Sequence, residues 1–520
     1  MKIIKKVSVF FLIAIIFFFA YLMFTYSPRY ILWYVFSAAP PENSDIHKYP
    51  VKKIAKSDHT FHFMKRLNEE YIEFLFEDKI RSLGTSTFDA YIEKSNTTAL
   101  IVVKNDTIIY EKYFNGYQRD DLFMALSMTK SYVSTLIGIA INEGYIKSVD
   151  EPITNYLPEL IKRDPRFEQI TLKHLAMMCS GIDRHKSTLK YKNMQFPLLW
   201  DGMAIAGGHP KLKQYLMNNL DVAYRPGTKY EYLDFNTELL GLILERAINK
   251  TALEYLEEKI WKPCGMEYPA FWMSNSEDSE FTKMSSGLFA RPIDYAKYGR
   301  LYLESGNWEG IQIIPEKWII ESIREDDTFN KEDYYSAPSV WLNNTYYKYH
   351  WKGIVNPDST INFSIGGSFG QNIFIAPHKD LIIVHCGTKQ NYYGVEDLWD
   401  IERLIDNPFY KILQSEGLPQ AVAFVDSLLV NNRNKIVSGR QLNTLGYRFL
   451  NEGKFDDAIA IFKLYVRAYP SSSNAYDSLG EAYMKNGQRE LAIINYKISL
   501  ELNPNNSNAK KMLRQLKKQY

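Results

Sequence analysis

The 520-residue chain is poor in the residues that announce a disulfide scaffold, a metal centre or a polyanion-binding surface. It has three cysteines, Cys179, Cys264 and Cys386. They are odd in number and far apart, which suits neither a disulfide framework nor a CxxC knuckle and leaves buried free thiols as the expectation. Its nine histidines form no HExxH or HxH cluster. The close pair His59 and His62 lies in a charged, helix-like approach to the main domain. No metal site and no cofactor are therefore expected. With 62 basic and 60 acidic residues the formal net charge is +2, so nothing in the balance calls for nucleic acid as a partner.

Charge is also missing from Val7 to Tyr26, an apolar run behind Lys2, Lys5 and Lys6. At a helical rise of roughly 1.5 Å per residue such a run spans about 30 Å of hydrocarbon. A signal-peptide core is shorter, at roughly 7–15 residues. Tyr26, Tyr30, Trp33 and Tyr34 supply an aromatic belt on the far side, and the lysines hold the N-terminus in the cytoplasm. The reading is an uncleaved, single-pass signal anchor with the rest of the chain extracytoplasmic, periplasmic or extracellular. A cleaved signal peptide is the alternative, with Ser37-Ala38-Ala39 as a rather distant small-residue site.

Beyond the anchor (residues 1–26) the chain divides into three regions. Residues 27–95 are polar with scattered aromatics and read as a tether that packs partly on the next domain. Residues 96–407 begin with two strand-like runs, Thr98 to Lys104 and Thr107 to Tyr113, around the turn pair Asn105-Asp106. They end with two more, Gln371 to Ala376 and Leu381 to Cys386, around Pro377 to Asp380. Strands at both ends with helices between predict an antiparallel sheet assembled from distant sequence. Residues 408–520 are amphipathic helix with a 34-residue repeat. Leu445-Gly446 recurs as Leu479-Gly480, Ala458 as Ala492, Phe462 as Tyr496 and Pro470 as Pro504. This resembles the tetratricopeptide repeat, which implies a helical module with Asn506 to Lys518 as a capping helix. Two repeats fall short of the roughly three needed for stability, so either Gln420 to Asn431 adds a degenerate helix or the module leans on the preceding domain. A peptide-binding groove and a structural appendage are both open.

Chemistry concentrates at Ser127-Met128-Thr129-Lys130, which opens an apolar run ending at Gly144. A serine at the first turn of a buried helix lies where N–H groups stabilise negative charge. Lys130, three residues on, shares its face. Apolar surroundings favour the neutral, basic lysine. Alone, the tetrad is equally a helix N-cap followed by a snorkelling lysine. A second proton-transfer group is offered by Tyr232, on the loop between the Pro226-Gly227 turn and a helix expected over Thr237 to Asn249. Gly366-Gly367-Ser368-Phe369-Gly370 also satisfies G-x-S-x-G, with Asp380 and His385 nearby. That nucleophile elbow requires a helix after the serine, and here a strand follows at once.

Taken in order, these residues resemble the serine β-lactamase and penicillin-binding protein superfamily, in its class C-like esterase and 6-aminohexanoate-oligomer hydrolase branch. Supporting stretches include Gly144 to Pro158, Ile170 to Gly181, Leu239-Leu240-Gly241 and Ala290 to Leu301. The resemblance implies an α+β, β-lactamase-like fold: an antiparallel sheet flanked by helices, plus an all-helical subdomain. It implies Ser127 as nucleophile, Lys130 as its proton acceptor and Tyr232 as the tyrosine of Y-x-N. Asp234 stands where that motif has asparagine. Ser368-Phe369-Gly370 matches the third motif, K-T-G or its variants, on the strand facing the nucleophile, without its cation. The N–H of Gln371, with that of Ser127, would form the oxyanion hole. The implied activity is a membrane-anchored serine hydrolase cleaving an ester or amide, D-amino-acyl bonds in cell-envelope material included. The repeats would serve a protein or peptide partner. Alternatives are a true β-lactamase or penicillin-binding carboxypeptidase, and a non-catalytic scaffold.

Overall fold

The computed structural model describes residues 46–47, 50–76, 85, 87–182, 189–191, 194–196, 212–274, 281–325, 345–388, 401–430 and 437–518. The expected membrane anchor lies outside them. Among the described residues no helix is long and apolar enough to cross a membrane. The chain forms two compact units: residues up to 67 with 95–395, and 68–94 with 396–520.

The first unit is built on eight strands: β1 (Met64–Lys65), β2 (Thr97–Lys104), β3 (Thr107–Tyr113), β4 (Thr345–Lys348), β5 (Trp351–Val355), β6 (Ile361–Gly367), β7 (Gln371–Ala376) and β8 (Leu381–Gly387). Their order across the sheet is β4-β5-β6-β7-β8-β2-β3-β1. All neighbours are antiparallel except β1, which runs parallel to β3. β2 and β3 form the expected hairpin, with Asn105 and Asp106 both at positive φ (49° and 55°), the conformation a two-residue hairpin turn demands. The expected joining of the two ends of this region is also present: β8 pairs with β2, Val384 opposite Ile101. β2, β7 and β8 are buried along almost their whole length, the pattern of strands covered on both faces.

Three helices position the chemistry: α1 (Thr129–Asn142), α2 (Asp234–Ile248) and α3 (Pro292–Leu303). α3 lies on β2, β7 and β8. A Cβ at Gly299 would fall 2.8 Å from Ile382, so only glycine lets this helix approach so closely. α1 is buried over twelve consecutive residues, Thr129 to Ala140, and ends at Gly144 with φ +80°, a left-handed C-terminal stop. A second sheet, of Val51–Ile54, Ala270–Met273, Leu288–Ala290 and Phe123–Met124 in spatial order, delivers the chain to α1. The Ala125 N–H donates to the Leu288 carbonyl at 2.7 Å, and Leu288 N–H donates to Thr129 Oγ1 at 3.2 Å. All three cysteines are buried thiols, none of them in a disulfide.

Among the described residues the second unit is all helical. Its principal elements are Glu69–Leu75, Phe88–Ser95, Pro408–Ser415, Leu418–Val430, Gly439–Asn451, Phe455–Ala468, Ser473–Lys485, Arg489–Leu502 and Ser507–Lys518. The sequence-defined tether is thus divided: Val51–Ile54 enters a sheet of the first unit, whereas 68–94 supplies helices to the second. Tyr71 Oη donates to the Ile405 carbonyl at 2.8 Å, and Gln414 Nε2 to Asn68 Oδ1 at 2.9 Å. The repeat positions do what their sizes dictate. A Cβ on Gly446 would lie 2.4 Å from the Phe462 ring, and one on Gly480 would lie 3.1 Å from Tyr496. A cavity of about 330 Å³ in this unit is lined by Tyr71, Tyr410, Leu418, Arg448 and Phe449 among others. None of the Ser127 group lines it.

Candidate active site

Ser127 occupies the middle of a single 3-10 turn, Leu126–Met128, that runs straight into α1. Its N–H precedes the first intrahelical hydrogen bond and so remains for another acceptor. Leu126, just before it, has φ 50°. A branched residue in the left-handed region is strained, and such strain collects where a side chain must be presented.

Lys130 Nζ lies 3.0 Å from Ser127 Oγ, 2.8 Å from the Ser285 carbonyl and 2.8 Å from Asp234 Oδ1. Three acceptors thus match the three N–H bonds of an ammonium. The Tyr232 ring centroid is 5.0 Å from the same nitrogen. The structure thus places Ser127, Tyr232 and Asp234, all singled out by sequence, around Lys130. The charge state of Lys130 is another matter. Burial pulls its pKa down, as expected from its apolar neighbours. The Asp234 carboxylate and the Tyr232 phenol outweigh burial, and the pKa is raised above the lysine norm. The expectation of a neutral, basic lysine is corrected: with Asp234 in place, Lys130 is an ammonium.

Asp234 is the first residue of α2, where the helix dipole favours a carboxylate. It is 36% exposed while Lys130 is 1% exposed, so the pair has one face in the protein and one in the cleft. One turn further along α2, buried Glu238 accepts the N–H groups of Met284 (3.1 Å) and Ser285 (3.0 Å). It thereby holds the loop whose carbonyl grips Lys130. Burial raises its pKa to about 7, and burial lowers that of neighbouring Lys283 to about 8. Tyr232, 41% exposed, meets Tyr347 edge-on at 6.3 Å. The Tyr347 hydroxyl is 2.9 Å from His350 Nδ1. His350 is held neutral, its pKa pushed down to about 3 by burial and by the Lys130 charge.

None of Ser285, Glu238, Lys283, Tyr347 or His350 was marked by sequence. Only Glu238 carried a usable signal, standing four residues after Asp234 on one helix face.

The third motif lies elsewhere than expected. Ser368–Gly370 is not strand but a 3-10 turn between β6 and β7, with Phe369 at φ 62° and Gly370 at φ 85°. The residue that abuts the nucleophile turn is Gly367, at the end of β6. A Cβ there would lie 2.5 Å from the Ala125 carbonyl oxygen and 3.1 Å from Leu126 Cβ. Ser368 follows on the exposed side of the turn. Gln371 opens β7 opposite Gly367, and its side-chain Nε2 donates to the Gly387 carbonyl at 2.6 Å. Gly367, rather than Ser368–Gly370, is thus the residue packed against the turn that carries Ser127. A strand, not a helix, follows Ser368, so the G-x-S-x-G stretch is no nucleophile elbow.

A family model described as Beta-lactamase matches residues 86–402. The chain is 22% identical over 333 residues to 6-aminohexanoate-dimer hydrolase of Paenarthrobacter ureafaciens, covering 61% of this chain and 80% of that protein. It is 24% identical over 295 residues to an Escherichia coli O157:H7 protein provisionally named D-alanyl-D-alanine carboxypeptidase, covering 44% and 66%. Among solved structures, a Bacillus anthracis protein provisionally named 6-aminohexanoate-dimer hydrolase superposes with a TM-score of 0.58 at 21% identity, covering 71% of this chain and 94% of that one. At that identity the likeness speaks for the fold.

Proposed function

Because the chain belongs to the beta-lactamase family of serine hydrolases, we propose that it cleaves an ester or amide by acyl transfer through Ser127. The observation that carries this reading is the Lys130 ammonium bridging Ser127 Oγ and Asp234. In its phenolate form, paired with the Lys130 ammonium, Tyr232 takes the Ser127 proton and, as the phenol so formed, returns it to the leaving group. The oxyanion rests on the N–H of Ser127 and the N–H of Ser368. Water then hydrolyses the acyl-enzyme.

The substrate proposed is an ester or short amide, D-amino-acyl bonds included, without a carboxylate beside the scissile bond. Asp234 puts negative charge where a neutral amide is usual in the motif, and no cation stands at Ser368. Hydrolysis of a 6-aminohexanoate dimer, the activity for which the Paenarthrobacter relative is named, fits this class. The carboxypeptidase named for the Escherichia coli relative keeps a second reading, D-alanyl peptide cleavage or β-lactam hydrolysis, in play. A fluorophosphonate probe should label the wild type covalently and leave Ser127→Ala unlabelled. A folded wild type that takes no label sinks the enzyme. A panel of p-nitrophenyl esters, D-alanyl amides and a chromogenic cephalosporin ranks the substrates, and fastest turnover of the cephalosporin reverses the order given.

The proposal extends to the flanks. Residues 7–26 anchor the chain in the cytoplasmic membrane with the hydrolase outside, on the strength of their apolar length and the lysines before them. The helices from Gly439 to Lys518 act as a tetratricopeptide-type module for a protein or peptide partner. What supports this is the 34-residue register, in which Tyr447 Oη donates to Glu481 at 3.0 Å. A C-terminal region protected from protease in intact cells would overturn the topology.

A further inference from the structure

His385 stands on β8 beside the turn that follows β6, buried and outside the proposed chemistry. Its Nδ1 lies 2.6 Å from the Gly370 carbonyl oxygen, and its Nε2 lies 2.9 Å from Thr97 Oγ1. A carbonyl can only accept, so Nδ1 carries the proton. Nε2 then accepts from the Thr97 hydroxyl, whose oxygen in turn is 2.8 Å from Ser95 Oγ. Both ring nitrogens are committed to this chain, and burial lowers the pKa so that the neutral ring persists. The ring is therefore occupied as a strut, although its place after G-x-S-x-G suggests a base.

What the strut holds is the turn Ser368–Gly370. Two successive residues there are left-handed, and the first is a phenylalanine, a conformation that must be maintained from outside. The hold comes from β8. The His385 N–H grips the Gly370 carbonyl, and Gln371 Nε2 grips the Gly387 carbonyl two residues along the same strand. Gly387 sits at a register shift in the β8–β2 pairing. A Cβ on it would lie 2.6 Å from the Phe369 carbonyl oxygen, so the turn is seated directly on that glycine. On its other side the same turn carries Gly367, packed on Ala125 and Leu126, and Ser368.

We propose that His385 is a positioning residue, clasping this turn from behind so that the Ser368 N–H is held at a fixed place beside Ser127. The assignment rests on the acyl-transfer reading above and adds to it the group that sets one oxyanion donor. Loss of an oxyanion donor outright costs about 10²–10³-fold in kcat. A donor left in place but loosely held costs less, about 10–100-fold.

Two measurements test it. In the first, His385→Leu and His385→Gln are compared with wild type on one p-nitrophenyl ester, with a boronic acid as transition-state mimic. His385→Leu should lose about 10–100-fold in kcat with KM nearly unchanged, and boronate affinity should fall in step. His385→Gln, which can still donate and accept, should recover much of the loss. A folded His385→Leu with wild-type kcat, or with its whole loss in KM, overturns the proposal. In the second, ¹⁵N chemical shifts of wild-type histidines report the tautomer without any variant. The His385 ring should carry its proton on Nδ1, and a proton on Nε2 at neutral pH overturns the clasp even if His385→Leu fails to fold. Failure of the hydrolase itself reads differently, as a wild type that fluorophosphonate does not label.

Discussion

The two units bury polar groups in opposite ways. In the hydrolase unit the deeply buried polar side chains include Lys130, Glu238, Lys283, Asp294 and Lys297, all at 4% exposure or less. In the helical unit they are mostly neutral, and several bond from one helix to a neighbouring one. Ser478 Oγ donates to Asn443, Ser499 Oγ donates to the Ser473 carbonyl, and Gln441 completes a capping box with Ser438. Its buried Asp477 is held by the amides of Asn506 and Asn508. A buried charge carries a desolvation penalty that its partner rarely recovers in full. A fold that keeps several within one neighbourhood is therefore spending stability on reactivity, whereas the helical unit's short neutral bonds specify how helices pack.

That contrast can be broken most forcefully at Lys130. Lys130→Met removes the cation that Asp234 pairs with and should lower kcat/KM at least about 10³-fold, while the helical unit stays folded by circular dichroism. Activity within tenfold of wild type would mean that the buried charge at Lys130 is structural rather than catalytic.

Asp234→Asn should act next. In the wild type the Lys130 pKa is raised above its unfolded value. The pair's contribution is therefore fully present below the unfolded lysine pKa and is lost as pH rises through the higher folded one. With asparagine the leading influence left is burial, which lowers the pKa, so the ammonium is lost at lower pH. The alkaline limb of kcat/KM should move down by about one pH unit or more. An unmoved limb would show that Asp234 does not set the lysine charge.

The smallest effect on activity should come from the helical side. Gly446→Val drives a side chain into the Phe462 ring and should destabilise that unit by about 1–3 kcal/mol. Turnover of a small ester should stay unchanged. A parallel fall in kcat would show that the helices support the catalytic geometry as well.

Legibility followed the range of the interaction. Ser127 and Lys130 share one helical turn, so local spacing exposed that pair, whereas Tyr232 and Asp234, at one loop-to-helix junction, were singled out by the family resemblance. The 34-residue helical register was equally readable, because Gly446 and Phe462 recur as Gly480 and Tyr496 in fixed steps. The Ser285 carbonyl was not readable. It reaches Lys130 through its backbone, 155 residues away, and a backbone acceptor leaves no trace in residue type. Lys283 was hidden for the same reason of distance. The third motif was misplaced by a few residues because β6, the turn and β7 are all rich in small or apolar residues. Only the close approach of Gly367 to Ala125 decides which of them faces the serine. The neutral-lysine expectation failed because it weighed the apolar neighbours in α1 and left out the effect of the Asp234 carboxylate, which arrives from another helix.

The pairing of β2 with β8 also has a consequence in time. A nascent chain that has emerged only through α3 already carries Ser127, Lys130 and Tyr232, yet it has no β6 to close the cleft and no β8 beside β2. The nucleophile thus stays without its second wall until residue 387 has followed. Long-range strand pairing of this kind is slow to form, and the serine cannot have its full setting before residue 387 has left the ribosome.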